Sequence, residues 1–520
     1  MKKKFHFLLI LASAFFIAAC SPGQQSNESS SESGKEDGKK VVNEDSTVIV
    51  GIASPILTLD PANSRDRVTE SVLRNVFDGL VTRAPDGTVE PQIAESWDNP
   101  TPTEWTFTIR EGIKFHDGTP LTIEDVVFTF ERIINEGSIN GETSPRKGLL
   151  GPLTKVEKVD EVTVKFTLEE PWPIIIQMLP HQQIVPKAYI EEVGDEDFAK
   201  NPIGAGPFMV KSASLDERIE LERFDDYYGG KQAIKTLVFD VIPENSSRIA
   251  ALQSGAVQRI QGVPPVLVSQ LEQQDDLEVK TANGTRVYMI EMNTNKPPFD
   301  NEKVRQAMNY AVNMDEIVET MLEGYGSRLA GPLLQEAFGL NEDLKPYEYN
   351  PEKAKQLLTE AGYADGFSVV IDAKDTQSEV VQAVAAQLRE VGVDAQIRVW
   401  DWGVLGPLIE NGERLMYMTD WGNSTQDPYD FLNPKLITED RGNFSFYSNK
   451  RVDELLNDAS IELDVDKRKD MYYEAQEIIY DEAPWIFGYS MFEIEAGVKN
   501  LKNWEPATDS MLKMHDVYLE

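Results

Sequence analysis

The sequence predicts an α/β fold with mixed sheets. Strand-type and helix-type hydrophobic patterns alternate along the chain. No internal repeat of fixed period interrupts that alternation. Past the N-terminus no segment approaches the roughly 18 continuous apolar residues of a membrane span.

The elements follow in order. Trp105, Phe107 and Ile109 alternate with polar neighbours, the pattern of a half-buried strand. Val162, Val164, Phe166 and Leu168 repeat it, as do Leu237, Phe239 and Val241. Between strands, Thr122 with Asp125 makes a capping-type helix start, and Val126, Val127, Phe130, Ile133 and Ile134 fall on one helical face. Asn350-Pro351 opens another helix, with Ala354, Leu357, Leu358 and Ala361 inward and Gly362 as its stop. Ser378 to Gly392 reads as a helix, and Ala395 to Trp400 as the strand after it.

The N-terminus has a different organisation. Met1-Lys2-Lys3-Lys4 precedes a largely apolar stretch, Phe5 to Ala19, broken only by His6 and Ser13. That length suits a signal-peptide core and is too short for a stable transmembrane helix. It ends in Ile17-Ala18-Ala19-Cys20 before Ser21-Pro22-Gly23, a pattern that looks like a lipobox. Cys20 is the only cysteine, so no internal disulfide competes for its thiol, which is expected to take a diacylglycerol and further acylation such as palmitate. Residues 21 to about 45 hold almost nothing to bury and are predicted to be a disordered tether. The expected division is a signal peptide at 1–19 and a lipidated, tethered segment at 20–45. The location is the extracytoplasmic face of the cell membrane. The Lys-rich start and long tether favour a Gram-positive envelope.

The chain has 520 residues and a formal charge of −38. Such acidity repels nucleic acid and anionic headgroups, so neither is an expected partner. It is mostly a solvation device, and it is compatible with cationic solutes. Catalytic patterns are missing. Of four histidines, His6 leaves with the leader, and His116, His181 and His515 have no metal-type spacing. Gly488-Tyr489-Ser490 runs into Met491-Phe492 rather than completing a nucleophile elbow. Asp225 stands where a phosphate loop ending in Gly230-Lys231 needs its first glycine, and Met209 stands at the third glycine position after Gly204-Ala205-Gly206. With 88 acidic residues, carboxylate pairs carry no information. No catalytic residue, metal site or cofactor is expected.

One stretch carries a family resemblance. Ala94-Glu95-Ser96-Trp97-Asp98 is followed by Glu104 to Arg110, then Ile113 to Thr122 with His116-Asp117-Gly118 at its turn, and Glu124-Asp125-Val126-Val127. This resembles the signature of the family 5 extracellular solute-binding proteins, the peptide- and nickel-type binding subunits of ABC importers. Leu59-Asp60-Pro61, Val76 to Leu80, Asn201 to Phe208, Pro297-Pro298-Phe299, Val304 to Ala307, Tyr447-Ser448-Asn449 and Val452 to Leu456 extend the match. The resemblance implies a two-lobed clamshell with an extra inserted domain. Lobe one would comprise 46–80, 186–284 and 494–520, the inserted domain 81–185, and lobe two 285–493. Ligand is enclosed between the lobes, and an ABC permease receives it from a monomer that does no covalent chemistry.

The same resemblance assigns candidate binding residues. The segment Thr419 to Phe431 would line the cleft, with Asp420, Trp421, Asn423, Ser424 and Asp427 in it. Peptide-binding relatives place there, three residues after the tryptophan, an aspartate that pairs with the ligand's ammonium. Here that position is Ser424, a neutral hydroxyl. Asp420 and Asp427 are the candidate substitutes. Trp402, past a strand end, is a candidate second wall, although Trp421 and Trp402 also fit a packed core. On lobe one, Ser64-Arg65-Asp66-Arg67 would face the cleft, Arg65 or Arg67 gripping a carboxylate, although a solvated cluster fits the same residues. Asp98, Arg110, Asp117, Asn201 and Gly204 are expected to serve turns and folding. The expected function is a lipid-anchored substrate-binding subunit that captures a peptide or peptide-like solute. A nickel chelate, a glutathione-like solute, an oligosaccharide, or a signalling role on the same fold remain open.

Overall fold

The computed structural model describes residues 45–520. The leader, Cys20 and the tether to residue 44 lie outside the described residues.

The observed elements follow the local patterns closely. The strands Glu104–Ile109, Thr163–Leu168 and Thr236–Val241 form where side chains alternate. The helix Ile123–Ile134 begins on a reciprocal capping box between Thr122 and Asp125. Pro351–Glu360 starts with proline at its first turn, and Gly362 leaves it at φ +90°, which a Cβ would oppose. Ser378–Glu390 is helical and Val393–Trp400 is the strand after it.

An 11-stranded mixed sheet forms the frame. At one end Val393–Trp400, Phe367–Lys374 and Met416–Gly422 run parallel, and at the other Phe208–Ser214, Arg218–Arg223 and Thr236–Val241 are antiparallel. Two long strands, Leu277–Met292 and Trp485–Val498, join these ends. They pair with each other along most of their length. Their register slips between Asn283 and Val287. A separate four-stranded sheet, led by Ala94–Thr101 and Glu104–Ile109, stands apart from the frame.

The apolar core divides accordingly. One cluster joins Val48–Phe77 to Phe208, Leu237 and the late residues Leu501, Trp504, Leu512 and Met514. A second fills the four-stranded sheet around Phe107, Phe130 and Phe166. Two more surround the parallel strands and the helices after residue 287.

The signature turn ties the second cluster to the first. His116 Nδ1 accepts the Gly204 N–H at 3.1 Å, and its Nε2 lies 3.0 Å from the Gly206 carbonyl. Gly204 is glycine because of close approach: a Cβ there would meet the Val76 carbonyl at 2.1 Å. Asp117 accepts both the N–H and the hydroxyl of Thr119, closing the turn. These are folding roles, as the sequence reading expected for Asp117 and Gly204.

Burial lowers the His116 pKa to about 4. An unfolded His116 titrates near 6.5, so the unfolded chain binds the extra proton first as pH falls. His116 therefore withdraws stability between about pH 6.5 and pH 4, by roughly 3 kcal/mol at the lower limit. His116→Gln keeps one acceptor and one donor. It should flatten this acid limb of the urea midpoint; an unchanged limb would rule out His116 as its cause.

Candidate functional site

A cavity of about 210 Å³ opens between early and late segments of the chain. Arg65, Arg67 and Glu70 line it from one side with Met178 and His181, and Arg286, Trp421, Gly422, Ser424, Asp430 and Arg441 from the other. The helix Arg67–Leu73 supplies the first group. Asp66 caps it, accepting the Thr69 N–H and hydroxyl at 2.7 Å each, which fixes Arg67 at the helix start and Glu70 one turn on. The strand Met416–Gly422 delivers Trp421, and the helix Pro428–Leu436 delivers Asp430.

Cations dominate this lining, against the acidity of the chain as a whole and against the cationic solutes that acidity suggested. A Cβ at Gly422 would stand 3.6 Å from Arg67 Nη2 and 3.7 Å from Arg286 Nη2, so two guanidiniums converge beside this residue. Arg441 lies over the Trp421 ring at 5.0 Å. Burial lowers the Arg65 pKa, with Arg441 adding repulsion and Asp430 opposing it.

The cavity's carboxylates differ in availability. Glu70 Oε1 accepts Arg74 Nη2 at 2.6 Å and lies 2.9 Å from His181 Nδ1, while Oε2 receives Arg146 Nη2 at 3.3 Å. Burial alone would raise its pKa; His181, Arg74 and Arg146 outweigh burial and hold it well below the usual range. Its charge is already used. Among the described residues the Asp430 carboxylate makes no comparable ion pair and accepts the Thr425 hydroxyl at 3.4 Å. Burial raises its pKa despite His181, Arg67 and Arg65. Asp430 is the acid with capacity left for a ligand.

His181 spans the cavity. With Nδ1–H directed to Glu70, Nε2 is the acceptor and Ser424 Oγ lies 3.3 Å from it, a contact between residues 243 apart in sequence. Burial lowers the His181 pKa against the pull of Glu70.

Arg65, Arg67, Trp421 and Ser424 are thus brought together as the sequence suggested. Five other candidates are placed elsewhere. Asp66 acts as the helix cap. Asp427 caps the next helix through the Tyr429 N–H and binds Arg468 through both oxygens at 2.7 Å, so it is not available as the ammonium partner. Asp420 is occupied by Arg286 at 2.5 Å, Gln377 at 3.1 Å and Lys374. Asn423 is fully buried, its N–H on the Thr285 carbonyl. Trp402 is 41 % exposed, packs near Phe444 at 6.4 Å, and is not part of the lining. Glu70, His181, Arg286, Asp430 and Arg441 were not anticipated. Asp430 sits inside the segment singled out, and Glu70 one turn from Arg67; Arg286 and Arg441 carried no signal. Among the described residues no group of three or more His, Cys, Asp or Glu is placed to hold a metal ion.

Comparison with known proteins places this geometry in context. The model of bacterial extracellular solute-binding proteins, family 5, matches residues 88–443. The glutathione-binding protein GsiB of Salmonella typhimurium is 30% identical over 491 residues, covering 91% of this chain and 94% of that protein. The ABC transporter-associated periplasmic binding protein DppA of Helicobacter pylori, solved with the peptide STSA, superimposes with a TM-score of 0.79 at 29% identity, covering 91% of this chain and 98% of that one. HbpA2 of Haemophilus parasuis gives 0.83 at 27% identity, with 91% and 100% covered.

Proposed function

The chain belongs to the bacterial extracellular solute-binding proteins of family 5, and on that premise we propose that it is the lipid-anchored binding subunit of an ABC importer for a small peptide-like solute bearing at least two carboxylates. One observation carries the choice of solute: four arginines, Arg65, Arg67, Arg286 and Arg441, face one cavity whose Glu70 is already neutralised. Like-charged guanidiniums converging on one cleft favour an anion between them, and among the described residues only Arg286 already has a carboxylate at hand, Asp420 at 2.5 Å. A bidentate carboxylate is the partner that suits their planar donors. Asp430 is the matching acceptor for an ammonium, replacing the aspartate absent at Ser424. Glutathione, the solute named for GsiB, has two carboxylates and one ammonium and fits this balance. An oligosaccharide fits less well, because Trp421 is the one aromatic ring in the lining.

Capture proceeds by closure of the lobes expected at 46–80, 186–284 and 494–520 against 285–493. The register slip between Asn283 and Val287 is the bending point. Ligand shifts closure only by its preference for the closed state, and the Ser424–His181 contact is a closed-state contact. Titration calorimetry of the ligand-free protein tests the solute. Glutathione is expected to bind at least tenfold more tightly than L-alanyl-L-alanine, which has one carboxylate. Equal or tighter binding of the dipeptide would overturn the dianionic reading.

Anchoring rests on Cys20. Cys20→Ser is expected to abolish incorporation of a labelled palmitate analogue and to move the protein from the membrane pellet to the supernatant. Retention of label would remove the anchor from this account.

A further inference from the structure

A second cavity of about 230 Å³ shares no lining residue with the first. Segments around residues 74–92, 180–183 and 503–516 enclose it, and the solute-binding reading gives it no task. It holds far more than one water. Its charged side is incompletely paired. Arg83 is 4 % exposed, and its Nη1 and Nη2 donate to the carbonyls of Gly87 and Gln177 at 3.0 and 2.5 Å. Its Nε has no hydrogen-bond partner and stands 3.7 Å from Asp509 Oδ2. The same Asp509 oxygen lies 3.5 Å from Arg74 Nη1. Lys513 also lines the cavity, and no ion pair or side-chain hydrogen bond engages its ammonium among the described residues. One carboxylate, Asp509, therefore serves two cations, Arg74 and Arg83, at long range. The other acids are committed or outside: Glu505 pairs with Lys280 at 2.9 Å, Asp516 is exposed, and buried Asp78, which acts on Lys513, accepts Gln92 Nε2 at 2.6 Å and the Tyr227 and Tyr228 hydroxyls at 2.8 Å. Phe77, Val81 and Met511 form the apolar side.

We propose that this cavity is an accessory binding site for a short-chain carboxylate. The carboxylate sits on the Lys513 ammonium and draws on the Arg83 guanidinium behind it, whose buried Nε–H lacks an acceptor. The aliphatic tail lies against Phe77, Val81 and Met511. Arg74 links the site to the first cavity: its Nε and Nη2 hold Glu70 at 3.0 and 2.6 Å while Nη1 points to Asp509. An anion that competes for Arg74 changes the Glu70–His181–Ser424 chain, and the coupling is reciprocal.

The binding test uses isovalerate as probe on the mature protein and does not depend on what the first cavity takes. Calorimetry or saturation-transfer NMR should give a Kd on the order of 1 mM or tighter. Lys513→Gln should weaken it at least tenfold, and Ala507→Leu, which fills the apolar end, should abolish it. Both variants should bind the first cavity's solute within twofold of wild type, which also reports that they fold. Saturating isovalerate should shift that solute's affinity, and the solute should shift isovalerate's by the same factor. No saturable binding at about ten times the expected Kd, or undiminished binding in both variants, overturns the site. Simple mutual exclusion with the first solute, insensitive to both variants, would place isovalerate in the first cavity and equally overturns it. An unchanged affinity for the first solute overturns the link through Arg74.

Discussion

Arg67→Ala is expected to weaken binding of a dicarboxylate peptide such as glutathione by about 30- to 150-fold, the loss of a charge-assisted, bidentate contact worth roughly 2–3 kcal/mol. The fold should not suffer. Arg67 occupies the first position of the helix Arg67–Leu73, where a cation opposes the helix dipole, so alanine there is neutral or slightly stabilising. Arg67 gains nothing from its helix position and stands with Arg286 beside Gly422 in the cavity lining. The variant thus separates binding from stability. Calorimetry should show the affinity loss while the melting temperature stays within about 2 °C of wild type. Full affinity in Arg67→Ala would remove that guanidinium from the ligand and with it the main support for an anionic solute.

The other large effect lies beneath the cavity floor. Lys435 and Glu291 form an ion pair at 2.6 Å with both side chains fully buried. The ammonium also lies 4.6 Å from the Phe444 ring and 5.5 Å from Trp421. Burial lowers the Lys435 pKa, and Glu291 opposes that shift. Lys435→Met removes one charge and strands the other, at an expected cost of about 3–5 kcal/mol. Native-state hydrogen exchange should register it as lost protection along the strand Leu277–Met292, which carries Glu291. The Thr419 hydroxyl donates to Glu291 Oε1, and adding Glu291→Gln removes the stranded charge while its amide oxygen still accepts that hydroxyl. The double variant should recover more than half of the loss. A single variant within about 1 kcal/mol of wild type would mean that the pair is not coupled as its geometry requires.

Local chemistry was legible in the sequence where one short segment decides the outcome. The Thr122–Asp125 cap, Pro351 and the alternation at 104–109 set their elements without distant help. The candidate site was legible in part. Arg65, Arg67, Trp421 and Ser424 came from family resemblance, and the fold does assemble them. Which acid of the segment lines the cavity turns on helix phase. Asp427 is the cap of Pro428–Leu436 and so points to backbone and Arg468; Asp430, three residues on, is carried to the cavity. Arg286, Arg441 and His181 were invisible because their meeting depends on segments more than a hundred residues apart, and 50 basic residues give no reason to prefer one.

The cluster that joins Val48–Phe77 to Leu501, Trp504, Leu512 and Met514 has a consequence for biogenesis. The earliest folded strand, Thr47–Ile52, finds part of its apolar cover only in residues made some 450 positions later. Until those residues emerge, the first segments have no complete core to collapse onto, and entropy favours an open chain. The late return of the chain to its own beginning therefore leaves the first segments without a complete core until the last residues are present.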